Sequence, residues 1–169
     1  MAKIKKTTAM MCFTVALLSL FLAACTTETV PTTPSTTTPS PTTSLSGEQV
    51  DVATFERNFT DIRLHRIPTE SGEAPTAEML GTPVTTFDAS ELGIGWHIST
   101  TPNMDPSIKV TIKLVIKKTG ETGMEFSPST PLKPSSGHGE AFPMPPAGQY
   151  QINFYADNVL VKVIDFEVR

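Results

Sequence analysis

Between Ile108 and Lys118 apolar and polar residues alternate almost without a break. Ile108, Val110, Ile112, Leu114 and Ile116 fall on one side, and Lys109, Thr111, Lys113, Val115 and Lys117 on the other. A period of two puts successive side chains on opposite faces of a strand. One face is then buried and the other wet, as in an antiparallel sheet. The same pattern recurs near the C-terminus, where Tyr150, Ile152, Phe154 and Ala156 alternate with Gln151, Asn153, Tyr155 and Asp157. Asp157-Asn158 predicts a tight hairpin turn, since both residues tolerate positive φ. The return strand is expected to bury Leu160, Ile164, Phe166 and Val168, with Asp165 and Glu167 outside.

Shorter strands are expected elsewhere. Residues 59–67 carry Ile62 and Leu64 on one face. Val84 to Phe87 is a β-branched run after Pro83. Residues 92–99 put Leu92, Ile94, Trp96 and Ile98 on one face, and a weak segment runs from Gly139 to Phe142. About seven strands with turn signals between them predict an all-β sandwich. No long stretch after residue 47 has a helical period, although residues 48–58 suit a short helix. The folded part, 48–169, suits one domain.

The N-terminus has a different character. Lys3, Lys5 and Lys6 precede an apolar run from Ala9 to Ala24. That is the layout of a secretory signal peptide, and the run is short for a membrane-spanning helix. Leu22-Ala23-Ala24-Cys25 resembles the lipobox of bacterial lipoproteins. The resemblance implies a leader over residues 1–24, cleavage before Cys25 and diacylglycerol on the Cys25 thiol. It places the chain outside the cytoplasm, held by a lipid anchor to the cell membrane or the outer membrane. Thr26 at the next position is permissive for the outer membrane. Two or three acyl chains anchor stably where one does not.

Residues 25–47 read as a disordered tether rich in Thr, Pro and Ser, with Pro31, Pro34, Pro39 and Pro41 spaced through it. The segment has little to bury against its ordering entropy. As polyproline II its stretch from Thr26 to Ser46 would reach up to roughly 65 Å. Such a composition also resembles O-glycosylated stalks; we read it as a spacer. Cys12 leaves with the leader and Cys25 carries lipid, so the mature chain has no thiol left for a disulfide. The fold must rest on its apolar core. Loss of Lys3, Lys5 and Lys6 changes 13 basic against 17 acidic residues to 10 against 17, a net charge of −7. That balance excludes the basic footprint of a nucleic-acid binder.

Gly148-Gln149-Tyr150 after a proline-rich corner, alternating Ile152 and Phe154, the Asp-Asn turn and the closing Phe166-Glu167-Val168 resemble the last hairpin of immunoglobulin-like and fibronectin type III-like domains. The resemblance implies an Ig-like antiparallel β-sandwich. It puts Tyr150 at the tyrosine corner, its hydroxyl bonding back to nearby backbone, and makes Trp96 the core tryptophan. The cysteine pair of antibody domains is absent, so the match is to the disulfide-free branch. Such a fold does not by itself choose a function.

No catalytic motif stands out. The histidines are His65, His97 and His138, and no pair has metal-site spacing. There is no Gly-x-Ser-x-Gly elbow. Gly93-Ile94-Gly95 lies in a strand pattern, where glycines give room to a neighbouring strand rather than cradle phosphate. We expect no catalytic residues, no metal and no cofactor. Lys109, Lys113 and Lys117 recur every fourth residue, which puts them on one face about 13 Å apart. They are candidates for binding an anionic envelope polymer or an acidic partner. His138, in the proline-rich loop expected over residues 127–146, is the other binding candidate. The sequence thus points to a non-enzymatic binding or structural module with an envelope protein or glycan as partner. Two alternatives remain. One is an accessory subunit of an envelope complex or transporter, marked by an exposed apolar patch around Val115 and Tyr155. The other is a small copper carrier using His138 and Met144, with Met104 and Met124.

Overall fold

The computed structural model describes residues 42–67 and 80–169. The leader, the lipobox with Cys25 and the tether as far as residue 41 lie outside the described residues.

A short helix, α1 (Val52–Asn58), is capped by Asp51, whose carboxylate accepts from the Thr54 amide at 2.9 Å. Its end runs directly into the first strand, β1 (Phe59–Arg66). Seven strands follow: β2 (Thr86–Phe87), β3 (Gly93–Thr100), β4 (Val110–Ile116), β5 (Thr122–Phe126), β6 (Gly137–Pro143), β7 (Gly148–Ala156) and β8 (Val159–Val168). They form two sheets, ordered β1-β3-β6 and β2-β8-β7-β4-β5. Every pairing is antiparallel except β2 with β8, which is parallel. The all-β, two-sheet sandwich expected from the alternation is what forms.

One apolar core joins the sheets. Ile62, Leu64, Ile94, Trp96 and Ile98 come from the smaller sheet, and Ile112, Leu114, Ile152, Phe154, Phe166 and Val168 from the larger. Trp96 lies on β3, the central strand of the smaller sheet, and is wholly buried. Its ring centroid is 6.3 Å from that of Phe126, which in turn lies 5.6 Å from Phe142. These rings bridge the two sheets near β5 and β6. Tyr150 donates its hydroxyl to the Pro146 carbonyl at 2.7 Å, the backward bond expected of a tyrosine corner.

The β7–β8 hairpin turns at Asp157 and Asn158, with φ of 49° and 67°. Two adjacent positive φ values are the signature of the turn that matches strand twist. The strand that follows departs from simple alternation. Phe154 pairs with Lys162 but Tyr155 with Leu160, so Val161 is an extra residue in the ladder. This bulge moves Leu160 to the face of Tyr155 and puts Val161 into the core. Leu92, expected in the core, precedes β3 and is 58% exposed.

Two further expectations change. Among the described residues the count is eight, because β5 was not foreseen: Gly123 and Glu125 are poor strand formers, and only Met124 and Phe126 pack on the core. Residues 127–146 are not one irregular loop, since β6 occupies their second half. The folded part also begins before Glu48. Thr43 bridges Gln49, and the Leu45 amide donates to Gln151 Oε1 at 2.8 Å on the outer face of the larger sheet. This strap, residues 42–51, is fixed further by the Asp51 amide, which donates to the Leu160 carbonyl at 2.8 Å.

Candidate functional site

Lys109, Lys113 and Lys117 share the outer face of the larger sheet, as their spacing requires, with Lys113 inside β4 and the other two flanking it. Other strands of the same sheet supply acids to two of them. Lys113 Nζ lies 3.4 Å from Glu125 on β5 and 5.2 Å from the centre of the Tyr155 ring. Lys117 Nζ lies 3.2 Å from Asp165 on β8. Lys109 is exposed, and its backbone amide is held by Asp157 Oδ1 at 3.0 Å. The row is therefore not a free basic stripe but a face of alternating sign, of which Lys109 is the open member.

The strap completes this face. Tyr155 donates its hydroxyl to Glu48 Oε2 at 2.8 Å. Burial first, and then the bond to Glu48, push the Tyr155 phenol up to about 12. The same bond, with one from Ser46, holds the Glu48 carboxyl below its usual value. Glu48, Thr111, Lys113, Glu125, Tyr155 and Asn158 line a small hollow of about 230 Å³. Val115 and Tyr155 are buried, at 7% exposure each. The exposed apolar patch that would mark an accessory subunit is thus absent at these two residues.

His138 stands elsewhere, on β6 of the smaller sheet, so the structure does not bring it together with the lysines. Its partner on β3 is Ile98, a core residue, so its ring points inward between the sheets. The ring centroid lies 5.5 Å from that of Trp96, and Nε2 lies 2.8 Å from Glu140 Oε1. The Ser129 amide donates to the same oxygen at 2.7 Å. Burial pushes the Glu140 carboxyl up, but the Ser129 hydroxyl and amide and then His138 outweigh it, and the net shift is downward. Glu140 was not singled out from the sequence. The signal was there: Phe142 is apolar, and in a strand His138 and Glu140 must share its face.

The remaining histidines lie on the outer side of the smaller sheet. His65 is buried, with Nδ1 2.8 Å from the Arg66 carbonyl, and sits opposite Gly95. A Cβ at Gly95 would collide with the His65 ring, so this glycine makes room for a side chain of the adjacent strand. His97 Nε2 lies 3.1 Å from Ser99 Oγ. Burial, followed by the nearby Arg63 and His65, lowers its pKa.

Among the described residues no group of three or more His, Cys, Asp or Glu side chains is arranged to hold a metal ion. Met104 is in the core, and Met124 and Met144 pack against it. The methionines named for a copper carrier therefore serve as packing.

Comparison with known proteins adds a structural likeness. No family model matches, and no curated protein matches. Among solved structures, an immunoglobulin-like protein from Pseudomonas aeruginosa aligns at 16% identity with a TM-score of 0.39, covering 65% of this chain and 98% of that one. The two-sheet architecture given above stands on this chain's own strand pairing.

Proposed function

We propose that this chain is an extracytoplasmic lipoprotein, anchored through Cys25, whose sandwich is a non-enzymatic binding or structural module at the cell envelope with a protein or glycan partner. The leader and the Leu-Ala-Ala-Cys sequence support the anchor. One observation supports the non-enzymatic half: side chains that could do chemistry are taken up by the fold. His65 holds a backbone carbonyl, His138 packs on Trp96, and Lys113 and Lys117 are paired with carboxylates. A tether raises the effective concentration of the domain near its membrane, so a weak surface suffices.

Lys109 is the clean probe of the outer face. Reversing Lys113 or Lys117 would set like charges beside Glu125 or Asp165 and disturb the sheet itself. The full chain, purified in detergent and immobilised, is expected to retain an envelope protein or glycan in a salt-sensitive way. Lys109→Glu is expected to weaken that retention and flatten its salt dependence. Retention no greater than that of an unrelated sandwich domain would remove the binding role and leave the structural one.

A further inference from the structure

Among the described residues the two sheets leave four edge strands, and they are not alike. β2 is two residues long. β1 carries Asp61, Arg63 and Arg66 and has a register shift near its start. β5 carries Glu125, and its pairing with β4 also shifts register. β6 is seven residues long and pairs with β3 without any shift. Its residues on the solvent side are Gly137, Gly139, Ala141 and Pro143, all exposed. Charges, prolines, bulges and short length are how edges are usually kept from pairing. On its outward side β6 has only Pro143, the last residue of the strand, and leaves Gly137 to Ala141 unprotected; His138 and Glu140 point inward.

The direction of its backbone groups follows from the ladder. The Thr100 amide donates to the Ser136 carbonyl, one step beyond the Ser99–Gly137 pair. Hydrogen-bonded pairs alternate along an antiparallel ladder. Even-numbered residues of β6 therefore bond to β3, and the N–H and C=O groups of Gly137, Gly139 and Ala141 face the open edge. Pro143 has the same parity, so its missing N–H costs the β3 ladder nothing.

We propose that a second copy of this chain pairs with this edge, β6 against β6, antiparallel about a two-fold axis at Gly139. The two three-stranded sheets would join into one continuous sheet. Gly139 would face its own equivalent, and Gly137 would face Ala141 of the second copy, giving about six new backbone bonds. The register is set by two facts on the strand. An axis at His138 would pair only Gly137 with Gly139 within the strand, giving about four backbone bonds instead of six, and would set two imidazoles opposite each other. An axis at Gly139 sets the His138 imidazole opposite Glu140 of the second copy, whereas an axis at Glu140 would oppose two carboxylates. A foreign strand is the weaker fit, because Gly137, Gly139 and Ala141 offer no pockets to select its side chains. The pairing does not depend on the lysine face, and a shared membrane would only strengthen it.

The test uses the full chain in detergent, followed by sedimentation across a range of concentrations. A reversible dimer is expected. Ala141→Pro removes only an outward N–H, so it should weaken dimerisation at least about tenfold while leaving the unfolding midpoint unchanged. Amide exchange in the unaltered chain gives an independent reading: exchange at Gly137, Gly139 and Ala141 should slow as concentration rises. A chain that stays monomeric with concentration-independent exchange at these three amides would overturn the proposal. So would a dimer that Ala141→Pro leaves equally tight, and if that variant does not fold, the exchange result decides.

Discussion

Trp96→Ala is expected to cost about 3–5 kcal/mol of stability. Trp96 is fully buried on the central strand of the smaller sheet, and its ring meets Phe126 of the other sheet and His138 of β6. No disulfide supplements the core, since the sequence has only Cys12 and Cys25, both before residue 42. Domains are stable by about 5–15 kcal/mol in total, so this one truncation consumes a large share. Part of the loss is the transfer of the ring and part is the cavity left behind. The indole Nε1 has no hydrogen-bond partner, so no polar bond is lost with it. Trp96→Phe, which keeps most of the volume, should therefore cost less than about 1.5 kcal/mol. Urea denaturation followed by far-ultraviolet circular dichroism separates the two variants. Equal losses would mean that the ring contributes through something other than filling the core.

The second large effect is pH dependence of the strap. Burial and the bond to Glu48 raise the Tyr155 phenol from the usual 10.0 to about 12. The folded form thus favours the neutral phenol. The stability it contributes is complete below pH 10 and is lost as pH rises from 10 towards 12. Glu48 is shifted down from 4.5, so its contribution is present above that value and is lost as pH falls through its lowered pKa. The Tyr155–Glu48 bond should therefore hold the strap best between about pH 4.5 and 10. The sequence has only two tyrosines, Tyr150 and Tyr155, so a spectrophotometric titration compared with that of Tyr155→Phe isolates Tyr155. The late inflection near pH 12 should vanish in Tyr155→Phe and move down in Glu48→Gln. A late inflection unchanged in Glu48→Gln would show that the strap does not reach Tyr155.

What was legible in the sequence follows from how local the determinant is. The alternation from Val110 to Ile116 and the Asp157-Asn158 turn are written in consecutive residues, and both formed as read. Trp96 and Tyr150 took the places that the immunoglobulin-like resemblance gave them. Leu160 is buried as expected, but on the face of Tyr155, and the core place of Val161 was not read, because the bulge there arises from the pairing of two strands and no pattern in either strand alone announces it. The lysine row shows the same division. Its spacing was readable from β4, but its neutralisation was not, because Glu125 and Asp165 come from strands on either side of the β4–β7 pair. His138 was assigned to a loop because the glycines and prolines around it mask a strand whose inward face it shares with Phe142.

The anchor at Cys25 is the premise on which the envelope role stands, and fatty-acid labelling tests it directly. Cells expressing the full chain would be fed an alkyne-tagged palmitate, fractionated, and compared with cells expressing Cys25→Ser. The account predicts a labelled, processed chain in the membrane fraction, and an unlabelled, unprocessed precursor for Cys25→Ser. Normal processing of Cys25→Ser, or a wild-type chain that is soluble and unlabelled, would contradict it.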